Sequence, residues 1–440
     1  MSKNKSWGIV GGGILGMTLA YRLASKGYNV SLYEASESLG GLANTWKMND
    51  IEWDRFYHVI LNSDGYLREL LKELDLDSEI QWVETKTGFY TGGKLYSMSN
   101  SMEFLRFPPL NIIDKFRLGI TILYASRIKN SSRLEKIPVD KWLLKWSGRN
   151  TFEKIWLPLL KAKLGDHYKK TSAAFIWATI QRMYAARRSG LKKEMFGYIP
   201  GGYKKILSSF SNMLKDKNIT IHTGWKANKI INQNNSVKVE SIAGDVVIHD
   251  NIILTAPSPI VNKLCEGITD NSIQRHGTID YLGVICPAVI LSKSISPYYV
   301  TNITDDNVPF TGVIEMTSLA DKKYFNGNSL IYLPKYLAPD DPLFDKNDEE
   351  IKKIFMDALF GMYPELNEGD LIFFGVSRAR YVFALPTLEY TRNLPGIKTS
   401  IPGLFIINAA HINNGTLNVN ETISLADKGL KSILESNVTN

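Results

Sequence analysis

Three glycines near the start of the chain are spaced to let a backbone meet a phosphate. Gly11, Gly13 and Gly16 form G-x-G-x-x-G between an apolar run that reads as a strand, residues 6–11, and a segment, residues 14–25, whose Leu15, Leu19 and Leu23 repeat at helical spacing. The first glycine permits the turn, the second lets the main chain approach a pyrophosphate, and the third lets helix pack on strand. Gly12, Ile14 and Leu15 complete the candidate loop, where free N–H groups and the helix dipole favour an anion. Val30, Leu32 and Tyr33 read as a second strand ending at Glu34 and followed by Ala35. A carboxylate there accepts hydrogen bonds from the hydroxyls of an adenosine ribose and disfavours a 2′-phosphate, so NADP is not expected. The competing reading is a tight turn and a solvated strand end; strand, spacing, helix and acid together favour a dinucleotide.

The elements that position these residues follow from periodicity. Strand, glycine loop, helix and strand make a βαβ unit and hence a parallel sheet. A helix is expected over 67–76, then a hairpin turning at Gly92 and Gly93. Residues 112–188 read as several helices punctuated by Pro138, Gly148, Pro158 and Gly165. The run GYIPGGY, 197–203, predicts a turn before a short helix, with strands at 219–222, 228–231, 237–240 and 246–254 returning to the first lobe. Strand-like runs fill 278–335, a loop spans 339–348, a helix lies near 350–360, and a strand, polar turn and helix close the chain over 403–434. The fold class is α/β: a Rossmann-type domain with a parallel sheet, and a second, mixed substrate domain with a helical insertion. The first domain is expected from 1–62, 197–265 and 370–440, and the second from 63–196, mostly helical, and 266–369.

A glycine doublet, Gly40-Gly41, follows the ribose-binding acid and resembles the one that FAD enzymes add to the Rossmann fingerprint. The pieces GIVGGGILG, YEASESLGG, IHTGWKANKI with IILTAP, and PGLFIINAAHINNGTLNVNETISLADKGL occur in the order found in the FAD-dependent amine oxidase superfamily. The middle of the chain, including WLPLLKAKLGDHYKKTSAAFIWATI and GYIPGGY, resembles its protoporphyrinogen-oxidase-like bacterial branch. The resemblance runs nearly end to end and implies FAD as cofactor and an oxidoreductase activity. It implies that Ala227 lies where main-chain atoms bond the adenine, and that the turn at Asn420, Thr422 and Ile423 lies against the flavin pyrimidine, where helix N–H groups stabilise negative charge. Two positions depart from the family: Leu42 replaces the arginine common after the doublet, and Asn408-Ala409 replaces a Gly-Asp. Asn408 is expected to bond ribityl or phosphate oxygens.

The resemblance also runs EWDRFYHVI past the isoalloxazine. There His58 is a proton-transfer candidate, or else a half-buried histidine bonded to a carbonyl. Arg55 either holds an anionic substrate or pairs with Asp54, and His411 is expected to face the same cavity. Arg182, Arg187 and Arg188, near Trp177 and Tyr184, read as a site for an anionic substrate or as a solvated basic face. Ile112, Ile113, Phe116, Ile120, Leu123 and Tyr124 line one face of a helix with Lys115, Arg117, Arg127 and Lys129 beside it. The preferred reading is core; the other is a membrane interface, which suits a lipid-linked substrate. The alternative function is a flavin-dependent isomerase resembling UDP-galactopyranose mutase, acting on a sugar nucleotide.

Composition bounds these readings. The 440 residues hold 52 Lys and Arg against 44 Asp and Glu, a net charge of +8 that favours anionic partners. No nucleic-acid-reading module is recognisable, and none of the six histidines has the spacing of a metal site. The start of the chain lacks a signal-peptide pattern, no run approaches about 18 uninterrupted apolar residues, and Cys265 and Cys286 are too few for a disulfide framework. The expected location is the cytoplasm, at most peripheral on the inner membrane face.

Overall fold

β1 (Ser6–Val10) and β2 (Asn29–Tyr33) lie parallel, Trp7 opposite Val30 and Ile9 opposite Leu32, in a computed structural model that describes residues 5–187, 194–233, 236–413 and 415–435. Between them runs α1 (Ile14–Ala24), whose Met17, Leu19 and Leu23 are fully buried against the sheet. The sheet has five parallel strands in the order Leu404–Ile406, Asn251–Leu254, β1, β2, Thr220–His222. Helices cover one face, and on the other Val10, Ile252 and Leu254 pack against Ile230, Val237 and Val239 of a three-stranded antiparallel sheet and against the helix Ser258–Leu264, so both faces are buried as an all-parallel sheet requires. The fifteen-residue helix Gly202–Asp216, longer than the short helix expected, buries Ile206, Phe210 and Leu214 in the same core.

The strand expected over 246–254 is two strands. Val246–His249 joins Ser236–Ser241 and Ala227–Gln233 in a separate three-stranded antiparallel sheet. Asn251–Leu254 joins β1. The break falls at Asp250, whose carboxylate accepts from the Ser6 N–H (2.8 Å) and hydroxyl (2.9 Å) and pins the chain to the start of β1.

The second lobe is built on an eight-stranded sheet around Tyr281–Leu291, a strand buried along its whole length. It pairs with Leu371–Ala384 on one side and with Ser329–Tyr332 and Lys335–Leu337 on the other. The hairpin Thr87–Thr91/Lys94–Ser97 turns at Gly92-Gly93 and closes the far edge. Two expected domain limits shift. Leu371–Ala384 lies beyond the limit at 370 yet belongs to this sheet, because its register is set by Tyr281–Leu291. Beyond the limit at 62, α2 (Gly65–Glu73) packs Leu67, Leu70 and Leu71 into the first core beside Ile433.

The helical insertion gathers Trp142, Leu143, Leu160, Leu164 and Trp177 into a core of its own. Pro158 does not break the helix: it directly follows the wider π-helical turn Phe152–Trp156, which runs without interruption into Leu157–Leu164. Among the described residues no helix is long and apolar enough to cross a membrane.

The helix Ile112–Arg127 corrects the preference for core, because it is mounted inside out. Asp114, Lys115, Leu118, Thr121, Ala125 and Ser126 face inward, while Ile112, Ile113 and Phe116 are 69%, 67% and 71% exposed. The inward polar groups have partners. Asn150 Nδ2 donates to Asp114, Lys115 Nζ donates to the Leu105 carbonyl (2.7 Å), and the Ser147 hydroxyl donates to Thr121 Oγ1 (3.1 Å).

Candidate functional site

The glycine loop has the form a diphosphate needs, for a different reason at each glycine. Gly11 has φ +114° and its missing Cβ would sit 2.2 Å from Thr255 Oγ1; a Cβ on Gly16 would sit 1.8 Å from the Gly11 carbonyl oxygen. Those two glycines are demanded by the protein itself. A Cβ on Gly13 would meet nothing nearer than Gly41 Cα at 3.8 Å, and Gly13 has an unstrained φ of −70°. Gly13 lies directly against the doublet: it forms a β-bridge with Gly40, whose N–H donates to the Gly12 carbonyl (2.9 Å), and a Cβ on Gly41 would come within 3.0 Å of Gly13 Cα. α1 starts without a side-chain cap or a first-turn acid, so the N–H groups around Ile14 and Leu15 remain donors for an anion. Leu42 is half-buried behind the doublet in the turn Gly41–Ala43.

At the end of β2, Glu34 accepts from the N–H of Gly12 (2.6 Å) and of Ser36 (2.8 Å). These bonds orient its carboxylate while leaving lone pairs on each oxygen. Ala35 is exposed beside it, and the Trp225 N–H donates to the Glu34 carbonyl (2.8 Å), bringing Ala227 at the start of its strand close by. Tyr33 stacks on His222 (centroids 4.8 Å, planes 4° apart) and tilts against Trp225 (4.7 Å). The motif search missed this aromatic group; the Gly-Trp at 224–225, directly after the returning strand, was its one signal. These residues suit an FAD: the uncapped N–H groups at the start of α1 would hold its diphosphate, and Glu34 beside Trp225 its adenosine.

From the doublet the chain enters the hairpin β3 (Thr45–Met48) and β4 (Ile51–Asp54) and then the segment holding Arg55, Tyr57 and His58. Asp54 is buried and accepts from the Tyr203 N–H (2.8 Å) at the start of the helix Gly202–Asp216. Gly202 has φ +66°, and a Cβ there would lie 2.9 Å from Asp54 Oδ1, so the tight GYIPGGY turn and this contact need each other. Burial pushes the Asp54 carboxyl up to about 7, against the Tyr203 N–H, which lowers it. His58 Nδ1 lies 4.0 Å from Asp54 Oδ2 with its ring 4.8 Å from that of Tyr203, and burial pushes the imidazole down to about 4. At neutral pH the two are therefore a neutral imidazole beside a carboxyl with high proton affinity. A cavity of about 10 Å³, room for about one water, touches Asp54, His58 and Tyr203.

Arg55 makes no ion pair with Asp54 among the described residues; its Nε is buried without a hydrogen-bond partner and its guanidinium lies 6.0 Å from the Trp46 ring. Nearby, Tyr57 and Tyr336 share a hydrogen bond (2.9 Å), the Tyr332 hydroxyl donates to the Asp54 carbonyl (2.5 Å), and Lys163 Nζ lies 3.3 Å from the Tyr336 ring centroid. This aromatic wall comes from the second lobe, and the sequence carried no sign that it meets residues 54–58.

The C-terminal residues are placed differently from expectation. Asn408 is fully buried and its side chain is used within the protein. It donates to the Ala256 carbonyl (3.0 Å) and Ser258 Oγ (3.1 Å) and accepts from the Ala410 N–H (3.1 Å), so both of its N–H groups are committed to positioning the loop. His411 joins that cluster, 6.0 Å from His276, whose Nδ1 is 2.8 Å from Ser258 Oγ. Asn420 Oδ1 accepts from the N–H groups of Tyr66 (2.9 Å) and Leu67 (3.2 Å), Thr422 Oγ1 donates to the Asn418 carbonyl (2.8 Å), and Ile423 lies in the first core. Packing and capping thus occupy the side chains of this turn. Arg182 is likewise taken, donating to Asp64 at 2.9 and 3.4 Å. Trp177 is buried with its indole N–H on the Ile128 carbonyl (3.0 Å), and Tyr184 is half-buried on the same helix. Arg188 and the Arg187 side chain lie outside the described residues.

A family described as flavin containing amine oxidoreductase matches residues 16–417. A 15-cis-phytoene desaturase of Glycine max is 21% identical over 389 residues, 81% of this chain and 66% of that protein. A protein from Exiguobacterium sp. 255-15 assigned as a protoporphyrinogen oxidase has a similar structure, with TM-score 0.76, 18% identity and 98% of each chain covered. A reduced UDP-galactopyranose mutase has TM-score 0.75 at 15% identity, covering 98% of this chain and 96% of its own.

Proposed function

The chain belongs to the flavin containing amine oxidoreductase family, an FAD-dependent oxidoreductase by that membership, and we propose that it oxidises a C–H or C–N bond of a small molecule. When bound, FAD would supply the hydride acceptor, with oxygen or a carrier as the final acceptor of the electrons. The protein contributes orientation, exclusion of water and a path for the proton. His58 takes the proton released from the substrate and hands it to Asp54, whose raised proton affinity suits neutral pH. Arg55 holds a carboxylate or phosphate of the substrate through its unpartnered Nε, and the Tyr57, Tyr332 and Tyr336 wall receives its apolar part. Gly11, Gly12, Gly13, Gly16, Gly40, Gly41 and Glu34 hold the dinucleotide, with Ala227 at the adenine. Buried, unpaired Cys265 and Cys286 support a cytoplasmic location.

One observation carries this reading: Gly13 is a glycine that nothing within the protein requires, and it lies beside the doublet from which the chain runs on through β3 and β4 to Arg55 and His58. Purified protein supplied with FAD is expected to show a flavin band near about 450 nm, bleached anaerobically by an anionic, hydrophobic substrate. Product formed only by pre-reduced enzyme, without reoxidation, would instead establish the flavin-dependent isomerase.

A further inference from the structure

The helix Ile112–Arg127 presents its apolar side to solvent and keeps its polar side in the core. Ile112, Ile113, Phe116 and Ile120 are exposed, and on the preceding helix Ser101–Arg106 Met102 (58%) and Leu105 (52%) are exposed as well. A solvent-facing run of this size marks an interaction surface. Its surroundings are cationic: residues 101–150 contain ten Lys and Arg against four Asp and Glu, an excess of six in a chain whose total excess is eight. Arg106, Arg117, Arg127 and Lys129 are exposed, whereas Asp114 and Glu135 are buried and Glu103 is held by Ser97 and Ser99. Lys115, which by sequence flanked the apolar face, has turned inward.

We infer that this face docks on an anionic lipid bilayer, with Ile112, Ile113 and Phe116 in the acyl boundary and Arg106, Arg127 and Lys129 at headgroup level. An apolar strip edged by cations has the chemistry of an interfacial helix on acidic lipid. A second copy of the chain is a poor occupant, since a two-fold contact would set Arg106, Arg117, Arg127 and Lys129 against themselves. At the helix's C-terminal end Arg127 and Lys129 border an open groove of about 420 Å³, with Trp177 and Gln181 also lining it, wide enough to admit a whole lipid headgroup. The inference stands independently of the flavin reading.

The test is flotation of the FAD-loaded protein with vesicles. Binding is expected with equal parts phosphatidylglycerol and phosphatidylcholine, not with phosphatidylcholine alone, and is expected to weaken as salt rises. Ile113→Asp/Phe116→Asp, at solvent-facing positions, is expected to lower binding by roughly tenfold or more while keeping the wild-type flavin spectrum and melting curve. Arg127→Glu/Lys129→Glu is expected to remove the preference for phosphatidylglycerol. The inference is overturned if the wild type stays unbound with both vesicles, if binding survives both double variants, or if the wild type sediments as a dimer that Phe116→Asp converts to monomer.

Discussion

Gly13 differs from Gly11 and Gly16 in having no neighbour that excludes a side chain. Gly13→Val is therefore expected to fold, with the far-UV spectrum and apo melting temperature of the wild type, yet to purify without the flavin band. Retention of stoichiometric flavin in that variant would refute the glycine loop as the diphosphate site. At this scale the sequence was legible where partners are close along the chain: Glu34 and Gly12 are 22 positions apart and form a direct bond. It was illegible where they are far. Tyr57 and Tyr336 are 279 positions apart, and nothing local to either predicts the other. Asn408 misled because its amide would suit a phosphate oxygen as well as it suits Ala256 and Ser258.

Asn420 acts at the scale of elements. Asp64 precedes α2 in the N-cap position, but its carboxylate is committed to Arg182 and the Leu61 N–H. The cap comes instead from Asn420 on the closing helix Val419–Glu435, joining two helices 354 positions apart. Asn420→Ala is expected to cost about 1 kcal/mol, read from denaturant unfolding, and Asn420→Asp to recover most of it because an acceptor remains. Equal stability of Ala and Asp variants would count against the cap. The helix Ile112–Arg127 shows why elements are found from sequence more readily than their orientation. Periodicity reports that a helix has an apolar side, and burial is the usual fate of that side. Here the inward side is instead served by Asn150, Ser147 and the Leu105 carbonyl, none of which the pattern contains.

At the scale of the whole molecule, buried carboxyls and buried histidines make stability depend on pH in opposing directions. Asp54 is raised from 3.8 to about 7, so its contribution is fully present below 3.8 and is lost as pH rises through about 7. His58 and His276 are each depressed from 6.5 to about 4, so the folded state loses stability as pH falls from 6.5 toward 4. Burial also depresses His249 and His411 and raises Glu315, so with four histidines against two carboxyls stability is expected to rise from about pH 4 to 6.5. Asp54→Asn, which keeps an acceptor for the Tyr203 N–H, is expected to gain on the wild type in melting temperature progressively between pH 4 and 7 and then hold a constant lead. A lead independent of pH would assign Asp54 an ordinary carboxylate.

The five-stranded sheet draws its strands from residues 6 to 406, with Leu404–Ile406 at one edge beside Asn251–Leu254. On a ribosome the first half of the dinucleotide site is thus made long before the strand that completes the sheet. Until then Asn251–Leu254, apolar and fully buried in the finished protein, has an open hydrogen-bonding edge. Nascent chains of this protein should call on a chaperone until residue 406 has emerged, and premature stops before it should aggregate even though every glycine of the phosphate loop is already in place.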